Sequence, residues 1–126
     1  IRLRNVDSTS FQYQIEEWDY LDQKHLMEKI AFIVLEKGSH ALTNGLGIEV
    51  GAVNVDHSWS SVVYGGSYST APVTVSQCQT YQEEGAVVMR ERNVSETGFE
   101  VRLQEEEGGD GVHALEEVGY IAVYQE

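Results

Sequence analysis

Shifted by 88 positions, the sequence falls onto itself without a gap. Arg2, Arg4, Asn5 and Val6 coincide with Arg90, Arg92, Asn93 and Val94, and Thr9 and Phe11 coincide with Thr97 and Phe99. Glu17, Asp22, His25, Glu28 and Ile33 coincide with Glu105, Asp110, His113, Glu116 and Ile121. Eleven identities in one register over 37 residues are not a chance match. Most other pairs are alike in kind, as in Ile15 with Leu103, Ile30 with Val118 and Phe32 with Tyr120. A chain with such a repeat must build one structural unit twice, so whatever fits one copy has to fit the other.

Each copy reads as three strands. The first is Ile1–Val6, matched by Val87–Val94, and the second is Phe11–Glu17, matched by Phe99–Glu105. Phe11, Tyr13 and Ile15 alternate with Gln12, Gln14 and Glu16, as Phe99, Val101 and Leu103 alternate with Glu100, Arg102 and Gln104. Alternation with period two marks a strand with one face buried. The third is Lys29–Lys37, matched by Glu117–Gln125. Its unbroken run Ile30 to Leu35 predicts a strand covered on both faces. A helix over Asp22–Lys37 competes, but the β-branched and aromatic residues of both copies favour strand.

Between the copies, Gly45, Gly47 and Gly51 punctuate a strand near Ile48–Val53. Trp59–Tyr64 and Pro72–Tyr81 are two more, separated by the Gly65-Gly66 turn. The expected fold is all-β: an antiparallel β-sandwich of about nine strands, one full six-stranded unit plus a half-repeat. Residues 1–40 form the partial repeat and residues 41–126 the complete one. The first copy lacks its upstream half. Two readings stay open: a piece of a longer repeat array, or missing strands supplied by another chain.

With 21 acidic residues against 8 basic ones, the net charge is −13. Nucleic acid and anionic membrane surfaces attract Lys/Arg patches that are missing here, so neither is an expected partner. No run of about 18 apolar residues is present to span a membrane, and no signal peptide opens the chain. Cys78, the only cysteine, excludes an intrachain disulfide and reads as a small buried hydrophobe.

The order Trp59, Pro72-Val73-x-Val75, Gln77, Val88-x-Arg90, Asn93-Val94, Thr97-Gly98-Phe99 and Tyr120-Ile121 resembles the H-type lectin domain. It is also similar to repeat modules appended to secreted bacterial polysaccharide-degrading enzymes. The resemblance covers residues 48–125 in full and 1–37 in part. It implies a six-stranded antiparallel sandwich, usually trimeric, that binds sugars at subunit interfaces. It also implies an aromatic–His pair just past the strand beginning at Thr-Gly-Phe, and an Arg before the Val-x-Arg strand. Here Trp18 keeps the aromatic, Asp19 stands in the His position, and Glu106 and Glu107 occupy the second copy's positions. Ala86 takes the place of the Arg.

The chemistry-bearing segments are the repeated turns, Glu16 to His25 and Gln104 to His113. Three readings compete for them. Sugars offer apolar C–H faces to aromatic rings and hydroxyls to Asp, Glu and His, and Trp18, Asp19, Tyr20, Asp22 and His25 supply both kinds within one loop. Glu106, Glu107, Asp110 and His113 are the second copy's counterparts. Clustered carboxylates also suit Ca²⁺, although no EF-hand spacing occurs, so no cofactor is assigned and calcium stays an option. The plain alternative is a solvated acidic turn in which Asp22 and Asp110 brace the backbone and His25 and His113 satisfy buried carbonyls.

Catalysis has little support. A glycosidase pair needs carboxylates on opposite sides of a bond, about 5–10 Å apart in a cleft, and Glu105–Glu107 are neighbours on one segment. His25, His40, His57 and His113 lack zinc spacing. Gly45-x-Gly47 is not a dinucleotide fingerprint, and no G-x-S-x-G elbow occurs. Arg2, Arg4, Arg90 and Arg92 lie at spacing two, as cross-strand partners for the acids or as a hydroxyl- or sulfate-binding ladder.

The expectation is therefore a secreted, non-enzymatic, lectin-like carbohydrate-binding module. It would grip a glycan or polysaccharide weakly per site, with strength gained through a homo-oligomer or repeat array. The alternative is a structural β-sandwich repeat of an extracellular fibre or adhesion protein, completed by strands from a neighbouring chain.

Overall fold

The computed structural model describes residues 1–125. It is all-β, with no helix among the described residues. The nine strands are β1 (Arg2–Arg4), β2 (Gln12–Gln14), β3 (Gly38–Ala41), β4 (Leu46–Val55), β5 (Ser60–Val63), β6 (Val73–Cys78), β7 (Val88–Arg92), β8 (Gly98–Gln104) and β9 (Glu116–Gln125). They make three antiparallel sheets, ordered β3-β4-β9-β6, β5-β8-β7 and β1-β2.

The first two sheets pack face to face into a sandwich. β8 delivers Phe99, Val101 and Leu103 to the interior, and β9 delivers Val118, Tyr120 and Ala122, all buried. This is the alternation read from the sequence, now placed between two sheets. Phe99 meets Tyr120 edge-on across the interior, 5.5 Å between ring centres. Gly47 and Gly51 of β4 lie opposite Tyr124 and Tyr120 of β9, and each ring covers the space a glycine leaves open. Buried Glu49, between these glycines on β4, is capped by the Tyr68 and Tyr120 hydroxyls and the Gly65 N–H. Desolvation, with the hydrogen bond to Glu49, pushes the Tyr120 phenol up to about 12.

The repeat persists at atomic detail. β1 pairs β2 as Arg2↔Gln14 and Arg4↔Gln12, and β7 pairs β8 as Arg90↔Arg102 and Arg92↔Glu100, the same register 88 residues on. Asn5 and Asn93 both take a left-handed backbone, at φ 51° and 52°, and so do Gln23 and Gly111. The side-chain amide of Asn5 donates to Gln12, and that of Asn93 donates to Glu100. Equal turns from unequal residues show that the turn geometry belongs to the unit, with Asn tolerating the left-handed region better than most residues.

One expected strand is absent. Lys29–Lys37 forms no ladder, although its counterpart β9 is an inner strand of the four-stranded sheet. β9 is held on its two edges by β4 and β6, and the first copy has no strands equivalent to these. A backbone without neighbours cannot satisfy its hydrogen bonds as a strand. For the same reason Tyr13, in the position of buried Val101, stays exposed. The short β3, not expected from the sequence, pairs with the outer edge of β4.

Candidate functional site

Each acidic turn is shaped by its aspartate. Asp22 accepts from the Lys24 N–H at 3.1 Å, and Asp110 accepts from the Val112 N–H at 2.9 Å. These are local Asx turns, which aspartate forms readily. Within each turn, the Leu21 N–H donates to the Trp18 carbonyl and the Gly109 N–H to the Glu106 carbonyl.

The fold brings the two turns together. The Asp19 N–H donates to the Glu106 carboxylate at 2.8 Å. Asp19, Glu106 and Asp110 line one open cleft with Glu83, Glu84 and Glu105. Trp18 is half-buried beside it, with its carbonyl accepting from the Gln23 amide at 2.8 Å. Tyr20 is 76% exposed, and Glu107 is exposed outside the cleft lining. The lining carries carboxylates and small residues, with no aromatic face.

His113 is a buried member of a polar network. It stands 3.2 Å from Glu105 through Nδ1 and 3.4 Å from Glu116 through Nε2. Its own N–H donates to His57 Nδ1 at 3.2 Å. Into this group runs Arg2, from the first strand of the other copy. Arg2 Nε donates to the Thr80 carbonyl at 3.1 Å, and Nη1 donates to the Gly85 carbonyl at 2.9 Å. Nη2 pairs with the Glu116 carboxylate and lies 3.4 Å from His113 Nε2. The guanidinium also stacks on Tyr81, 4.4 Å from its ring centre. Five N–H donors in a planar fork make this division among several acceptors possible.

Glu116 is equally well served. The Thr80 hydroxyl donates to it at 2.5 Å and the Gln82 N–H at 2.8 Å. Burial alone would raise its pKa, but these hydrogen bonds and the Arg2 charge outweigh burial and hold the carboxyl below its ordinary 4.5.

The first copy repeats the acidic half of this network in the open. His25 stands 3.9 Å from Glu17 and 3.4 Å from Glu28, the counterparts of Glu105 and Glu116. It lacks an inserted arginine and lacks a segment equivalent to Thr80–Gly85. Arg90, the counterpart of Arg2, is exposed and donates to Gln104 at 2.9 Å. Arg92 reaches Glu100 at 2.8 Å, a cross-strand pairing of the kind expected from the sequence, and its guanidinium lies over Trp59.

Glu83, Glu105 and His113 hold ligand atoms within 4.8 Å of one another, a spacing open to a metal ion. His113 is already engaged on its two ring nitrogens by Glu105, Glu116 and Arg2.

Sequence reasoning missed Arg2 and Glu116 as partners. The available signal was that both are charged residues identical in the two copies, in a unit whose other identities are mostly turn and core positions.

No family model matches the chain, and no solved structure matches it. It is similar to Halomucin of Haloquadratum walsbyi (strain DSM 16790 / HBSQ001), at 33% identity over 130 residues and 98% of the present chain. The chain spans 1% of the length of that relative.

Proposed function

We propose that this chain is a structural repeat segment of a secreted, surface-type extracellular protein, and that its two copies are built to be locked end to end. The observation that carries this reading is the burial of Arg2, from the first copy, in the polar network of the second. A residue that buries its charge in the next unit fixes the position of that unit, as neighbouring units do in solenoid proteins. The likeness to a small part of a protein named as a mucin supports an extracellular setting. The net charge of −13 fits a surface that stays hydrated and keeps its neighbours apart.

Surface labelling of the source cells with an antibody to this segment tests the reading, and signal from intact, unpermeabilised cells is expected. Signal only after permeabilisation overturns it.

Lectin-like glycan binding is a second reading. It is favoured by the exposed ring of Tyr20, which follows Asp19 at the rim of the cleft. A glycan array decides between the two. Retention that falls when Tyr20→Ala and Asp19→Ala are introduced establishes the lectin reading, and a blank array leaves the structural one. In neither reading does the chain act as an enzyme.

A further inference from the structure

We infer that residues 29–37 are an inner strand of a second sandwich, and that the strands completing it are a repeat segment equivalent to residues 39–88 standing, in repeat register, immediately before residue 1. This rests on the structural-repeat reading above and names the partner that reading requires.

The first observation is a ring contact. Phe11 meets Phe32 edge-on, 5.1 Å between ring centres and 75° between planes. Their counterparts Phe99 and Tyr120 meet at 5.5 Å and 73°. The contact that joins the two sheets of the complete sandwich is thus already made in the half-copy. At this one contact Phe32 meets Phe11, beside β2, as Tyr120 of β9 meets Phe99 of β8.

The second observation is what these residues leave uncovered. Phe32, Ile33 and Val34 are 67%, 77% and 71% exposed, whereas Tyr120 and Ala122, in the positions of Phe32 and Val34, are 8% and 0% exposed. Adjacent large apolar side chains in water are a marked cost and a mark of an absent neighbour. In the complete copy that neighbour is known: β4 and β6 hold the strand on its two edges, and Val50 and Val75 flank Ile121, the counterpart of Ile33.

The third observation excludes the obvious donor. A second copy of this chain has its own β4 and β6 paired to its own β9, so it could donate them only by giving up its core. The completing strands must therefore come from a repeat segment not already closed on its own β9. The same segment would bring the equivalent of Thr80–Gly85 to Glu17, His25 and Glu28, turning that open cluster into a closed one that takes an arginine.

Two positions limit how alike the two sandwiches can be. Ser10 stands where Gly98 does, and any side chain at Gly98 would meet the Val62 carbonyl. Ala31 stands where Gly119 does, against the Gln79 amide. The completing segment must differ from residues 39–88 near these points.

The test is a chimera in which residues 39–88 are duplicated directly before residue 1, with Ser10→Gly and Ala31→Gly to admit them. Hydrogen exchange of residues 29–37 is read in the native chain and in the chimera. Exchange at the earliest time point in the native chain, slowed at least a hundredfold in the chimera, is expected. Equally fast exchange in both overturns the inference. A second measurement does not depend on the chimera folding. Val34→Asp, at a position 71% exposed, should leave the urea midpoint of the native chain unchanged, while Ala122→Asp, at its buried counterpart, lowers it sharply. A comparable drop from Val34→Asp would show that the segment is already packed and would also overturn the inference. Neither measurement bears on glycan binding or on cell-surface location, so this inference and the functional reading can fail separately.

Discussion

Arg2 and Glu116, 114 positions apart, form an ion pair whose side chains are 1% and 0% exposed. The pair joins the first strand of one copy to the last strand of the other. Such a pair is worth little as a replacement for well-packed apolar residues, but breaking one side of it strands a buried charge.

Arg2→Met should therefore destabilise the chain by about 3–5 kcal/mol, read from urea denaturation. Arg2→Lys should fall between Met and the native residue, because an ammonium cannot serve the Thr80 and Gly85 carbonyls and Glu116 together. Arg90→Met, at the exposed counterpart, should cost less than about 0.5 kcal/mol.

Acid should weaken the fold through the same carboxylate. Glu116 has its folded pKa below the ordinary 4.5, so the unfolded state takes up its proton first as pH falls. Its contribution is complete above pH 4.5 and is lost as pH drops through the lower, folded value. Thermal midpoints measured from pH 7 to pH 3 should fall most steeply below pH 4.5, and Glu116→Gln should flatten that fall.

Close packing of rings over glycine gives a third expectation. A methyl at Gly51 would overlap the Tyr120 ring, so Gly51→Ala should cost roughly 1–3 kcal/mol as the ring is forced aside. At Gly66 a methyl would stand 3.9 Å from Tyr68, an ordinary contact, and Gly66→Ala should be close to neutral. Equal losses at the two sites would refute this account of the β4–β9 pair.

Salt should stabilise the chain. With a net charge of −13 the folded state repels itself, and the Debye length shrinks from about 10 Å at 0.1 M to about 3 Å at 1 M. The thermal midpoint should rise between these two concentrations of sodium chloride. Arg2→Met should lose nearly the same stability at both, since its partner is shielded from solvent ions.

Much of this fold is legible before any coordinates, because period-two alternation and the repeat constrain the same residues. Phe99, Val101 and Leu103 fall inside as their spacing requires. Lys29–Lys37 misleads because composition reports what a segment would do with neighbours, and strand formation needs those neighbours to be present. β3, over Gly38–Ala41, is invisible because a short polar edge strand carries no apolar pattern. In the turns, the Asx role of Asp22 and Asp110 was among the readings of the sequence. The approach of Asp19 to Glu106 and the insertion of Arg2 were not, since both join residues far apart in the chain.

The Arg2 contact also bears on how such a sequence can lengthen. The arginine and the carboxylate it meets lie on different copies, 114 positions apart, so gain or loss of an 88-residue stretch preserves that spacing for any arginine that has a copy after it. Recombination between misaligned copies could then change the reach of the protein without a new junction being invented. Selection on length could proceed separately from selection on fold.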